Sequence, residues 1–151
     1  MIHLDLLKVS RKYPVGFILT LRDFLYTLGM WKEFNENPCG YRVGDCSVRA
    51  VSVALGVDWR TAYALMVTAG YKLCDVPSSD RVWTQVLKDH GFRKTSVEDI
   101  TAEEFCEEHP HGTYVLVFGG HVATVKDGSL FDSWNSSKEI VRFVLYCPKT
   151  E

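Results

Sequence analysis

Three side chains of this 151-residue chain have the types and the order that nucleophilic acyl chemistry needs: Cys46, His121 and Asp132. A cysteine attacks as thiolate, so its surroundings must favour loss of the proton. The stretch from Asn35 to Gly44 is rich in turn residues (Asn35, Asn37, Pro38, Gly40, Gly44) and reads as a loop. It delivers Cys46 to the first turn of a helix with Asp45 as cap and Gly56 as stop. Unpaired N–H groups and the positive end of the helix dipole both favour thiolate there. Taken alone, such a cysteine is ordinarily a small buried hydrophobe.

His121 gives Cys46 a candidate base. It follows Gly119-Gly120 and opens the strand-like run Val122-Ala123-Thr124-Val125, which places it at a sheet edge facing a cleft. A hydrogen-bonded structural histidine is the competing reading. Asp132 lies in the next run, beyond an Asp127-Gly128 turn that folds the chain back. A carboxylate there fixes the tautomer and orientation of the imidazole and stabilises the imidazolium paired with a thiolate. Read together, the three form a nucleophile on one lobe and an oriented base on the other.

The elements that must position them follow from periodicity. Val48, Val51, Ser52 and Leu55 share one face of the helix that Cys46 opens. Asp58 caps a second helix, ended by Gly70, and Ser79 starts a third that runs to Gly91. Thr101 and Glu104 form a capping box for a fourth, which stops before Pro110. The period then changes. Tyr114–Phe118, Val122–Val125, Ser129–Trp134 and Ile140–Tyr146 are β-branched and aromatic runs separated by glycine turns. Helices followed by an antiparallel sheet predict an α+β domain rather than alternating β-α-β units. Residues 1–29 read as an N-terminal extension or interaction arm, with a helix from Thr20 through Leu21, Phe24, Leu25 and Leu28. Residues 30–151 read as the domain that carries the chemistry.

These residues and their contexts resemble papain-like cysteine peptidases. In that family the catalytic cysteine begins the central helix, a glycine-flanked histidine opens a strand, and an Asn-Ser-Trp motif follows. Gly119-Gly120-His121 matches the histidine element, and Asp132-Ser133-Trp134 matches the last one with aspartate for asparagine. The stretch Asn37-Pro38 to Gly44-Asp45-Cys46-Ser47-Val48-Arg49-Ala50, with Asp58-Trp59 and Gly112-Thr113-Tyr114, is similar to short bacterial and phage proteins predicted to be cysteine peptidases. The resemblance runs from about Asn35 to Tyr146. It implies a papain-like fold in which N-terminal helices, the nucleophile heading the central one, pack on a C-terminal antiparallel sheet. It implies a Cys46-His121-Asp132 triad that cleaves an amide, most naturally a peptide bond, through a thioester. Trp134 would shield the His121–Asp132 hydrogen bond. The papain pattern puts an oxyanion-hole glutamine six residues before the cysteine, where this chain has Gly40. Asn37 is the substitute donor beside the Cys46 N–H, or else an ordinary turn residue before Pro38. Arg49, one turn after Cys46, either supports the thiolate or a substrate carboxylate, or pairs with an acidic neighbour.

Composition narrows the remaining classes. A hydrophobic share of 46%, a charged share of 24% and a net charge of −2 describe a globular chain without the basic face that nucleic acid demands. The five cysteines, Cys39, Cys46, Cys74, Cys106 and Cys147, are odd in number, irregularly spaced and without a C-x-x-C pair. Reduced thiols in a cytoplasmic setting are expected, with neither a disulfide framework nor a metal site. Arg22 and Asp23 interrupt the apolar segment from Val15 to Trp31, so no membrane span is expected. No cofactor is expected, and the expected partner is a peptide or protein substrate. The alternative is a binding module on the same scaffold, weak or inactive in catalysis, that engages a protein such as a host factor. Fold resemblance alone does not separate the two.

Overall fold

The computed structural model describes residues 30–148, so the extension at residues 1–29 and the helix expected after Thr20 lie outside the described residues. The described part is an α+β arrangement of four helices and one six-stranded sheet. The helices are α1 (Cys46–Leu55), α2 (Trp59–Leu73), α3 (Asp80–Asp89) and α4 (Ala102–Glu108). The strands are β1 (Trp31–Glu33), β2 (Arg93–Thr101), β3 (Thr113–Val117), β4 (Val122–Lys126), β5 (Ser129–Asp132) and β6 (Ile140–Tyr146), in the spatial order β1-β5-β4-β3-β6-β2. Among the described residues, no helix is long and apolar enough to cross a membrane.

Local signals set most of the helix ends. The Asp58 carboxylate accepts the Thr61 N–H at 2.9 Å, and Ser79 accepts that of Val82 at 3.4 Å. The capping box of α4 is complete, with Thr101 and Glu104 each bonding the other's backbone. Gly56 closes α1 at φ 65°, in the left-handed region that glycine enters without strain. Gly70 does not end its helix as expected. The helix continues to Leu73 and turns at Cys74. Gly70 is needed for another reason: a Cβ there would sit 2.7 Å from the Asp75 carbonyl oxygen.

The sheet separates two cores. Val115 and Val117 of β3 face α1, α2 and α3, where they meet Val51, Met66, Trp83 and Leu87. Leu116 and Phe118 point the other way, into a cluster with Ala102, Phe105 and Cys106 from α4. This is strand alternation with both faces covered. Thr124 occupies the first face and donates its hydroxyl to the Ala50 carbonyl at 2.9 Å, tying β4 to α1.

Two strands lie outside the four runs expected from the sequence, and one of them breaks the antiparallel pattern. β1 is three residues long and pairs in parallel with β5, Glu33 opposite Asp132, so the sheet is mixed. β2 precedes α4 and is mostly exposed, and it pairs with β6 at the other edge. Neither strand carries a period-2 apolar pattern, because an edge strand open to solvent needs none.

Candidate active site

Cys46 is the first residue of α1, and its N-cap Asp45 makes no side-chain cap hydrogen bond. The Asp45 carboxylate is held elsewhere: Oδ1 accepts from Arg49 Nε at 2.9 Å and Oδ2 from Trp59 Nε1 at 2.8 Å. The Asp45 carboxylate therefore does not cap the first-turn N–H groups of α1, which have no partner within the helix itself.

His121 enters β4 from a tight turn. The Phe118 N–H bonds the His121 carbonyl at 2.8 Å, and Gly120 takes φ 86° between them, a conformation that favours glycine. The imidazole packs against Phe118, with centroids 5.9 Å apart, and against Trp134, at 5.1 Å. Its Nε2 lies 2.6 Å from Asp132 Oδ2. The ring and the Cys46 thiol also interact, each shifting the other's ionisation. The structure thus brings Cys46, His121 and Asp132 together at one site.

Asp132 ends β5 and is fully buried. Among the described residues, four donors reach its carboxylate: His121 and Ser136 Oγ at Oδ2, the Ser133 N–H and Arg49 Nη1 at Oδ1. Its backbone carbonyl accepts the Phe34 N–H at 2.9 Å and Trp31 Nε1 at 3.3 Å, so β1 and the residue after it fix the end of β5. Arg49 pairs with both Asp45 and Asp132, as its acidic-neighbour reading expects, and its charge also favours the Cys46 thiolate.

The charges follow from these contacts. Burial opposes ionisation of Cys46. The His121 hydrogen bond, the Val122 N–H and the positive charges of His121 and Arg49 outweigh it and hold the thiol below its usual 9.0. Burial likewise opposes the imidazolium, yet the hydrogen bonds to Asp132 and Cys46 and their negative charges push His121 up to about 9. Asp132 is buried too, but the His121 and Ser136 hydrogen bonds, the imidazolium and the Ser133 N–H keep its carboxyl below the ordinary carboxylate value. A lowered thiol facing a raised imidazole shifts both groups in the direction that a thiolate–imidazolium pair requires. Cys106 behaves in the opposite way. Burial, with the charges of Glu107 and Glu103, pushes it up to about 12.

The remaining expected residues fall outside this chain of contacts. Asn37 lies in the turn before Pro38: its Oδ1 accepts the Cys39 N–H at 3.0 Å, its carbonyl accepts the Gly40 N–H, and it does not line the cleft at Cys46. Gln85, the one glutamine of the chain, lies on α3 and bonds Asp89, so it does not replace the oxyanion-hole glutamine. Trp134 lies against the His121 ring but remains 44% exposed, so it covers one side of the imidazole without sealing it. Sequence reasoning missed Ser136, Phe118 and the Val122 N–H. Ser136 follows the Asp-Ser-Trp motif closely enough that its hydroxyl was a findable fourth partner. Among the described residues, no cluster of three or more His, Cys, Asp or Glu side chains could hold a metal ion. No protein-family model, curated protein or solved structure matches this chain.

Proposed function

We propose that the chain is a thiol hydrolase of papain-like design that cleaves an amide, foremost a peptide bond. The observation that carries this reading is the pairing of Cys46 with a His121 whose Nε2 lies 2.6 Å from Asp132 Oδ2, with Cys46 opening a helix whose N-cap Asp45 makes no side-chain cap hydrogen bond. The Cys46 thiolate attacks the scissile carbonyl carbon, and the carbon–oxygen π electrons move onto oxygen. The Cys46 N–H stabilises that oxyanion, assisted by the α1 dipole. Collapse expels the amine, which takes its proton from the His121 imidazolium, and leaves a thioester on Cys46. Neutral His121 then accepts a proton from water, hydroxide attacks the thioester carbon, and the carboxylic acid departs as the thiolate re-forms. Asp132 holds the imidazole in register throughout.

The test is capture of the acyl-enzyme. Incubation with activated acyl esters and with peptide libraries, followed by mass spectrometry of the intact chain, should show acylation at Cys46 that decays by hydrolysis and disappears in His121→Ala. Labelling that spreads over the exposed Cys39, Cys74 and Cys147 and ignores His121 would leave the papain-like scaffold as a binding module only.

A further inference from the structure

The cleft beside Cys46 and His121 encloses about 200 Å³. That is smaller than the pockets of roughly 300 Å³ and above that hold whole drug-sized ligands, so it suits one side-chain-sized group. Its floor is apolar, formed by the buried Trp83, Val117 and Val122. The start of α1 lines one edge, and the start of α3, with Ser78 and Asp80, also lines the cleft. Asp80 is exposed and is the one carboxylate among the described residues lining the cleft. Its Oδ1 accepts the Trp83 indole N–H at 2.9 Å, which steadies the side chain, and a carboxylate's second oxygen can accept a further donor. Among the described residues His121 is the one basic side chain in the lining, and it is committed to Asp132 and Cys46. Behind it, the thiolate, Asp132 and Asp45 outnumber His121 and Arg49 by one negative charge.

We propose that the cleft selects amide substrates carrying a cation beside the scissile carbonyl, a protonated amine or a guanidinium, with Asp80 as its counter-charge. This rests on the thiol-hydrolase reading and adds its substrate class. The apolar floor takes the aliphatic stem of such a group while the charged end reaches the Asp80 edge. The cation comes either from a lysine or arginine side chain or from a free α-amino group.

The experiment uses methanethiosulfonate reagents bearing an aminoethyl, an ethyl or a sulfonatoethyl group. The thiolate attacks the thiosulfonate sulfur, a disulfide forms and methanesulfinate leaves, so charge preference at Cys46 is read without knowing the substrate. The quantity is the ratio of cationic to neutral modification rates, mapped to Cys46 by mass spectrometry. Asp80→Asn keeps the acceptor for Trp83 and removes the charge. Ser78→Lys adds an opposing charge at an exposed position of the same edge. Each should lower the ratio by about fivefold, the scale of one partly screened charge pair. A ratio unchanged in both variants overturns the proposal.

Coumarin amides of blocked lysine, blocked norleucine, blocked glutamate and free alanine then separate the sources. Preference for blocked lysine assigns the cation to a side chain, and preference for free alanine assigns it to an α-amine. Preference for norleucine or glutamate overturns the proposal. Failure of the underlying reading looks different: all three reagents would modify Cys46 at the rate seen in His121→Ala.

Discussion

Replacing Arg49 by methionine should destabilise the domain far more than it slows the chemistry. The guanidinium is 8% exposed and lies between two carboxylates that are 6% and 0% exposed. It donates to Asp45 at 2.9 Å and to Asp132 at 3.2 Å. Removing one partner of a buried ion pair costs about 3–5 kcal/mol, because the other charge stays buried without it. Here Asp45 keeps Trp59, and Asp132 keeps His121, Ser133 and Ser136, so the lower end, about 3 kcal/mol, is expected. For a domain of this size that corresponds to a fall in Tm of about 6–12 °C. Urea and thermal unfolding measure it. The double variant Arg49→Met/Asp45→Asn should recover part of the loss, since one stranded charge is then gone. Arg49 has the smallest of the influences that lower the Cys46 thiol, so the alkylation pKa of Arg49→Met should move less than that of His121→Ala. A loss under about 1 kcal/mol, the worth of an exposed pair, would refute the argument.

Other substitutions separate orientation from shielding. Asp132→Asn should keep measurable turnover, because an amide oxygen still orients the ring, whereas Asp132→Ala should lose about a further tenfold or more in kcat. Trp134→Ala should lower kcat by about twofold to tenfold and leave the fold intact, since the ring touches His121 yet is 44% exposed. Asp132 is held below its ordinary 3.8, so its stabilisation is present above pH 3.8 and lost as pH falls through the lowered value. The stability difference between wild type and Asp132→Asn should accordingly shrink in urea titrations run below pH 3.8. Amide hydrolysis should decline above about pH 9, where His121 loses the proton it gives the leaving amine, while alkylation of Cys46 by iodoacetamide persists.

What was legible in the sequence was local. Asp58, Ser79 and the Thr101–Glu104 box announce helix starts because a cap acts within one turn. Cys46, His121 and Asp132 could be singled out because a loop-to-helix junction, a diglycine and a hairpin turn each leave a short signature. The partners that hold Asp132 left a weaker one. β1 is three residues long, and it secures the Asp132 carbonyl through Phe34 and Trp31, contacts far apart in sequence. β2 is polar and largely exposed, and it is a strand because β6 offers it a ladder rather than because its residues alternate. Gly70 misled for a similar reason: its role is the approach of Asp75, which a reading of helix stops does not see. The Asp45 carboxylate was expected to cap α1 and instead faces Arg49 and Trp59, a tertiary demand that overrides the local one.

The most direct test of the central claim is the rate of Cys46 alkylation by iodoacetamide as a function of pH, followed by peptide mapping in wild type, His121→Ala and Asp132→Ala. A coupled Cys46–His121–Asp132 unit predicts an inflection below the usual thiol value of 9.0 in wild type. It predicts a return toward 9.0 in His121→Ala, with Asp132→Ala between the two. A wild-type Cys46 that titrates at the ordinary thiol value, with both variants superimposed on it, would contradict the account.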